Sequence, residues 1–322
     1  MAKNLLVVFA LLCFVGSFVQ ATIPVNVGCQ STSKYKWLNL VQPASVYQSC
    51  TYSIAPYSIY VCQLRVEFAT VLAQPTSPNL IDSPTCRNGY IQIGRHKICG
   101  VNSNQHLYVD FFGSNSNNRV TIVTNPNGGT YQIKVTQVEC PIGYKTKIYQ
   151  PTDKLAPVKP IQPESKLMKT IIFDTDIIAP SGCDQYYIDT VGFVESFNWN
   201  NARGPYPGSM QYTVCFRRPV SSSRLRLYAM DFSLEYNAAD QTNGNCYDLY
   251  EATPGYSSDY VMVPYSRITE TGIVADQYCG VILQSRTVES TMFGTFWFTF
   301  KAGNYVNGNN VKRVFKFQYQ VI

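Results

Sequence analysis

Histidine is scarce in this chain: His96 and His106 are the only two in 322 residues. With so few imidazoles and no Cys-x-x-Cys pair, the ligand set of a structural zinc site is missing. A Ser-His-Asp protease would also need a Gly-rich nucleophile turn, which the sequence lacks, and both histidines fall in its first half. Charge is sparse too, at 14% of residues. The net charge of +6 is spread without any Lys/Arg run, which argues against nucleic acid as a partner. Beyond the N-terminus no stretch approaches the 18 apolar residues of a membrane-spanning helix. No Asn-x-Ser/Thr sequon occurs, so no N-glycan is expected to shield the surface. Low-complexity repeats of the kind common in matrix proteins are absent as well.

What is present begins with a leader. Lys3 gives a positive start, Leu5 to Val15 is an almost unbroken apolar run, and Val19-Gln20-Ala21 offers small residues for cleavage. Residues 1–21 therefore read as a signal peptide, and the mature chain as secreted and not membrane-spanning. Its removal takes Cys13 from the 11 cysteines and leaves ten: Cys29, Cys50, Cys62, Cys86, Cys99, Cys140, Cys183, Cys215, Cys246 and Cys279. An even number in an oxidising compartment reads as five disulfides. Removing Lys3 brings the net charge to +5, a diffuse surplus.

About 300 mature residues suggest two domains. The break lies at 141–180, where Pro151, Pro157, Pro160, Pro163 and Pro180 alternate with lysines, and reads as a semi-rigid linker. Within it, Met168 to Phe173 has the composition of one further strand. The domains are then 22–140 and 181–322. Aromatics make up 14% of the chain, with 24 tyrosines, a composition that favours strands. In the first half Gln63–Phe68 and Tyr131–Val135 alternate apolar and polar residues, and Leu107–Phe112 and Val120–Val123 are strand-like. In the second, Tyr212–Phe216, Leu225–Tyr228, Phe296–Phe300 and Val314–Tyr319 are the counterparts. No amphipathic helix longer than two turns is found. The expected class is all-β, with an antiparallel β-sandwich in each half.

The cysteine layout repeats between the halves. Each has a strand cysteine, Cys50 or Cys215, then a pair ending in a Cys-Gly step, Cys86 with Cys99-Gly100 and Cys246 with Cys279-Gly280. Leu225-x-Leu227, Asp231-Phe232-x-Leu234-Glu235, Cys246-Tyr247-Asp248 and Cys279-Gly280 follow in an order that resembles the CUB domain, an extracellular jelly-roll-type β-sandwich module. Cys62 to Phe68, Leu72-Ala73-Gln74-Pro75, Ile98-Cys99-Gly100 and Gln137-Val138-Glu139-Cys140 carry the resemblance in the first half. These motifs resemble those of a group of tandem-CUB secreted proteins of insects and other arthropods. The chain departs from them in a longer linker and in lacking a cysteine shortly before Cys62. The resemblance implies the pairs Cys86–Cys99, Cys246–Cys279, Cys183–Cys215 and Cys29–Cys50, leaving Cys62 with Cys140.

The resemblance also implies where calcium would bind. Glu235 and Asp248 stand at two of the family's carboxylate positions, and the third falls near the neutral Asn304 or Asn307. With one carboxylate lost, a weak Ca²⁺ site in the second domain is the most the sequence supports. In the first domain Gln74 and Gly89 occupy the corresponding positions, so no site is expected there.

The residues themselves suggest a contact loop. Phe197-Asn198-Trp199-Asn200 and Arg203-Gly204-Pro205-Tyr206 put rings and an arginine in a turn-rich segment, with Trp199, Arg203 and Tyr206 as candidate anchors. His96, between Arg95 and Lys97, reads as solvated, and His106 as packed or capping. The expected function is a secreted, non-catalytic protein that binds another extracellular protein. The alternatives are an accessory of an extracellular serine-protease cascade, or a glycan-binding or matrix protein.

Overall fold

The computed structural model describes residues 23–78, 82–111, 119–141, 174–235, 259–303 and 312–322. Twenty strands and two single-turn 3-10 segments, Thr175–Ile177 and Asn200–Ala202, make up the regular structure among these residues. No described helix is long and apolar enough to cross a membrane. The leader, most of the expected linker with its candidate strand, and Cys246, Asp248, Asn304 and Asn307 lie outside the described residues.

The first half contains β1 Val25–Val27, β2 Thr32–Ser33, β3 Trp37–Leu40, β4 Cys50–Ile54, β5 Val61–Val71, β6 Tyr90–Ile93, β7 His96–Ile98, β8 Val101–Asp110, β9 Val120–Asn125 and β10 Thr130–Glu139. They form two five-stranded sheets, β1-β3-β10-β5-β8 and β2-β4-β9-β6-β7. The period-two pattern decides which side chains meet between them. Leu64, Val66 and Phe68 of β5 and Ile133 and Val135 of β10 are buried from one sheet, and Tyr52, Ile54, Ile91 and Ile122 from the other.

The second half contains β11 Gln185–Tyr187, β12 Val191–Glu195, β13 Gln211–Phe216, β14 Leu225–Ser233, β15 Tyr260–Met262, β16 Ser266–Ile268, β17 Gln277–Tyr278, β18 Thr287–Ser290, β19 Phe296–Lys301 and β20 Val314–Val321. Its sheets run β11-β13-β19-β15-β17 and β12-β20-β14-β18-β16. Its core is built from rings. Phe216, Phe298, Phe315, Phe317 and Tyr319 lie edge-on or tilted, with centroids 4.7–6.1 Å apart. These are the spacings at which the electron-rich face of one ring attracts the edge of the next.

Among the described residues, four disulfides join Cys29 to Cys50, Cys62 to Cys140, Cys86 to Cys99 and Cys183 to Cys215. The pairing of Cys246 with Cys279 rests on a residue outside the described set.

The two sandwiches touch. The chain entering the second runs along the first, where Asp174 meets Lys36 at 2.9 Å and accepts the Glu139 N–H. Ala179 exchanges two hydrogen bonds with the Gln63 side chain, so this end of the expected linker is laid down on the first sandwich.

Candidate functional site

The loop at 197–208 is the first place where structure and sequence expectation diverge. Phe197 is buried, 6.1 Å from Phe68 of the first sandwich and 4.9 Å from Tyr212 of its own. Asn198 follows with φ at +64°, a conformation Asn tolerates better than most residues. Its Oδ1 accepts the Val101 N–H at 2.8 Å, and its Nδ2 donates to Gln74 Oε1 and to the Pro205 carbonyl. Its own N–H reaches Asn102 Oδ1 at 2.8 Å. A Cβ on Gly100 or on Gly204 would collide with Asn198, so both glycines hold open the space it fills. The loop is therefore a plug between the sandwiches.

This places the three expected anchors differently. Tyr206 is fully buried and is no surface anchor: its hydroxyl needs a partner, and the interior supplies one in Asp259 at 2.6 Å. Trp199 is half-buried under the Lys316 ammonium, 3.8 Å from the ring. Arg203 alone of the three is exposed.

His96 is the second correction. It is buried rather than solvated, with Nε2 2.8 Å from Asp184 Oδ1 across the junction. Arg95 Nη2 donates to both oxygens of the same carboxylate, and the Thr213 N–H adds a further bond. Burial alone would raise the Asp184 carboxyl. The hydrogen bond and charge of His96, the Thr213 N–H and Arg95 together outweigh it and hold the group below its ordinary range. Beside it, His106 is packed as expected. Its Nε2 accepts the Tyr186 N–H at 3.0 Å, and the Tyr187 ring lies 4.9 Å away. Burial, then the Arg65 charge, push its pKa down to about 3, against a weaker upward pull from the Tyr186 bond. Both histidines thus sit where the halves meet. His96 has Asp184 and Arg95 as its hydrogen-bond partners among the described residues, and no hydroxyl or thiol nucleophile is among them.

Glu235 was expected to hold a cation, and it faces one that is covalently part of the chain. Arg313 Nη1 lies 3.6 Å from Glu235 Oε2, Arg313 Nη2 lies 3.4 Å from Asp259 Oδ2, and the guanidinium stacks 4.7 Å from the Tyr206 ring centre. All of these side chains are buried. Arg313 adopts φ +55°, a left-handed conformation that costs about 1 kcal/mol or more for a side-chain-bearing residue. The turn is retained where it aims the guanidinium inward. Burial raises the Asp259 pKa to about 6 although Arg313, Tyr206 and the Gly303 N–H all favour its charged form. A calcium ion needs six or more oxygen ligands close around it. Between Glu235 and Asp259 that space holds a guanidinium, so this pair does not fit a divalent cation. Among the described residues no three His, Cys, Asp or Glu side chains gather as a metal would require.

A feature that sequence reading missed lies on the outer face of sheet β12-β20-β14-β18-β16. The register pairs Arg226 of β14 with Glu289 of β18, and Glu289 with Arg267 of β16. Glu289 accepts from Arg226 Nε at 2.9 Å, Arg224 Nη1 at 3.1 Å and Arg267 Nη2 at 3.3 Å. The carboxylate is 3% exposed, whereas the three arginine side chains are 44–59% exposed. Burial would raise the Glu289 pKa, but bonds from Arg226 and Arg224 and their charges hold it low. One anion thus anchors three cations. The transverse row continues through Gln320 to Val191 on one side and through the Arg267 bridge to Val274 on the other. Phe193 and Tyr228, exposed and paired through Gln318, form the next row. An open depression of about 460 Å³ lies beside Arg224, Tyr265, Arg267 and Val274. Only the outward alternation Arg224-Leu225-Arg226-Leu227-Tyr228 hints at this face in the sequence.

Residues 180–322 match the family model described as the animal CUB domain. The chain is similar to the CUB1-EGF-CUB2 domains of rat MASP-1, at 13% identity and a TM-score of 0.27 over 92% of this chain and 100% of that one. It is also similar to the CUB1-EGF-CUB2 domain of human MASP-1/3, at 11% identity and a TM-score of 0.28, over 89% and 100%. No curated protein matches the chain.

Proposed function

We propose that the chain is a secreted, non-catalytic binding protein that engages another protein outside the cell. The observation that carries this reading is the outer face of the second sandwich. There arginines fixed by a buried carboxylate stand beside exposed Phe193, Tyr228, Tyr265 and Val274. Exposed rings and ordered arginines are the side chains that interfaces favour. The animal CUB match over 180–322 supports the same reading, since such modules mediate extracellular protein interaction. Disulfides in both halves fit an oxidising compartment. The packed junction favours presentation of the two sandwiches as one body over independent, linker-tethered capture.

The test is affinity capture from the protein's own extracellular fluid with residues 22–322 as bait. A discrete enriched protein is expected. Recovery of polysaccharide or of an insoluble scaffold, with no enriched protein, would overturn the reading in favour of a glycan or matrix role.

A further inference from the structure

We propose that the Arg224, Arg226 and Arg267 cluster is a docking site for an acidic polypeptide segment whose apolar side chains pack on the flanking exposed residues. The inference rests on the binding role above and names the chemistry of the partner.

Each guanidinium carries five N–H donors. Arg226 and Arg267 each spend one on Glu289, as does Arg224. One carboxylate against three guanidiniums leaves the group with a net charge of +2, and nearly half or more of each arginine side chain faces water. Glu270, the acid on the neighbouring turn, is engaged by the Thr287 N–H. Glu289 therefore does not neutralise the cluster. It fixes the heads of three long side chains, so much of the rotamer entropy an incoming anion would have to quench is already lost. A second carboxylate meets ordered forks with free donors, the geometry in which Arg recognises carboxylates bidentately.

The surroundings select among anions. Val191 and Val274 end the charged row, Phe193 and Tyr228 line its neighbour, and Tyr265 borders the depression. A sulfated glycan offers no aliphatic side chains to cover valines. A strand or turn alternating Glu or Asp with Leu, Val or Tyr covers both kinds of row at once. The positive net charge of the chain adds long-range attraction for such a segment.

The experiment uses the full mature chain and a fluorescein-labelled peptide of about seven residues alternating Glu with Leu and Tyr, a length set by the width of a five-stranded face, about 24 Å. Fluorescence anisotropy at physiological salt is compared between the parent and the Arg226→Gln/Arg267→Gln variant. A Tyr228→Ser variant, which keeps every charge, is measured beside them. Folding is checked in each by near-ultraviolet dichroism. The double variant is expected to bind at least tenfold more weakly, and Tyr228→Ser about threefold, with the parent's affinity falling as salt is raised. Equal binding by parent and double variant would overturn the proposal. So would stronger binding of a heparin octasaccharide than of the peptide, which would assign the cluster to sulfated glycan. Capture from native fluid separates the two levels of argument. If the double variant retains the parent's partner, the binding role stands and this site falls.

Discussion

The two sandwiches share a strand plan and differ in what fills and fastens them. The first has three described disulfides and a largely aliphatic core of Leu, Ile and Val with a few rings. In the second, Cys183–Cys215 is the one bridge between described cysteines, and the interior is a lattice of phenylalanine and tyrosine with an ionic cluster at one end. One set of sheets is thus held by covalent restriction of the unfolded chain and the other by large buried rings, each burying 150–250 Å² by general experience.

The comparison breaks first at Cys62–Cys140, whose sulfurs close a separation of 78 residues. Replacing both by alanine should cost about 4.5 kcal/mol in the chain-entropy account. Two-probe urea unfolding should register the loss in the first sandwich. A loss confined to the second would show that the bridge acts through the junction.

In the second sandwich the sensitive point is charge. Arg313→Gln leaves two buried carboxylates facing one another and should cost about 3–4 kcal/mol, the general penalty for stripping one partner from a buried pair. The parent should melt at the same temperature in EDTA and in millimolar calcium. A calcium-dependent rise in the parent would mean that residues outside the described set complete a metal site at Glu235.

The smallest effect sharpens the boundary between the halves. His106 has a folded-state pKa pushed down to about 3, so the folded chain binds fewer protons than the unfolded one between roughly pH 6.5 and 3. Its contribution is complete above pH 6.5 and is lost as pH falls. Between pH 6.5 and 5 one such proton is worth about 2 kcal/mol. His106→Gln should flatten that part of the stability profile, as read by urea midpoints across the range. Asp184, held low by His96, Thr213 and Arg95, loses its contribution only at more acid pH, below the ordinary carboxylate range.

The sandwiches were legible because alternation is local. Gln63–Phe68, Tyr212–Phe216, Phe296–Phe300 and Val314–Tyr319 all fall within observed strands. Cys29–Cys50, Cys86–Cys99 and Cys183–Cys215 are joined as the family resemblance implies, and Cys62–Cys140 is the pair left over by elimination. What escaped depends on distant partners. His96 stands between two basic residues and looks solvated until Asp184, 88 positions away, closes over it. Tyr206 resembles a surface anchor until Asp259 and Arg313 are placed around it. The arginine face needs β14, β16 and β18 in register, and neither the short β16 nor the largely buried β18 shows a clear period in sequence.

At Glu235 and Asp259 the positive charge is written into the polypeptide. A guanidinium arrives with translation, in fixed stoichiometry, and no chelator or dilute fluid can remove it. The countercharge that Arg313 brings to these two carboxylates is therefore inherited with the sequence, and a change of codon is what removes it.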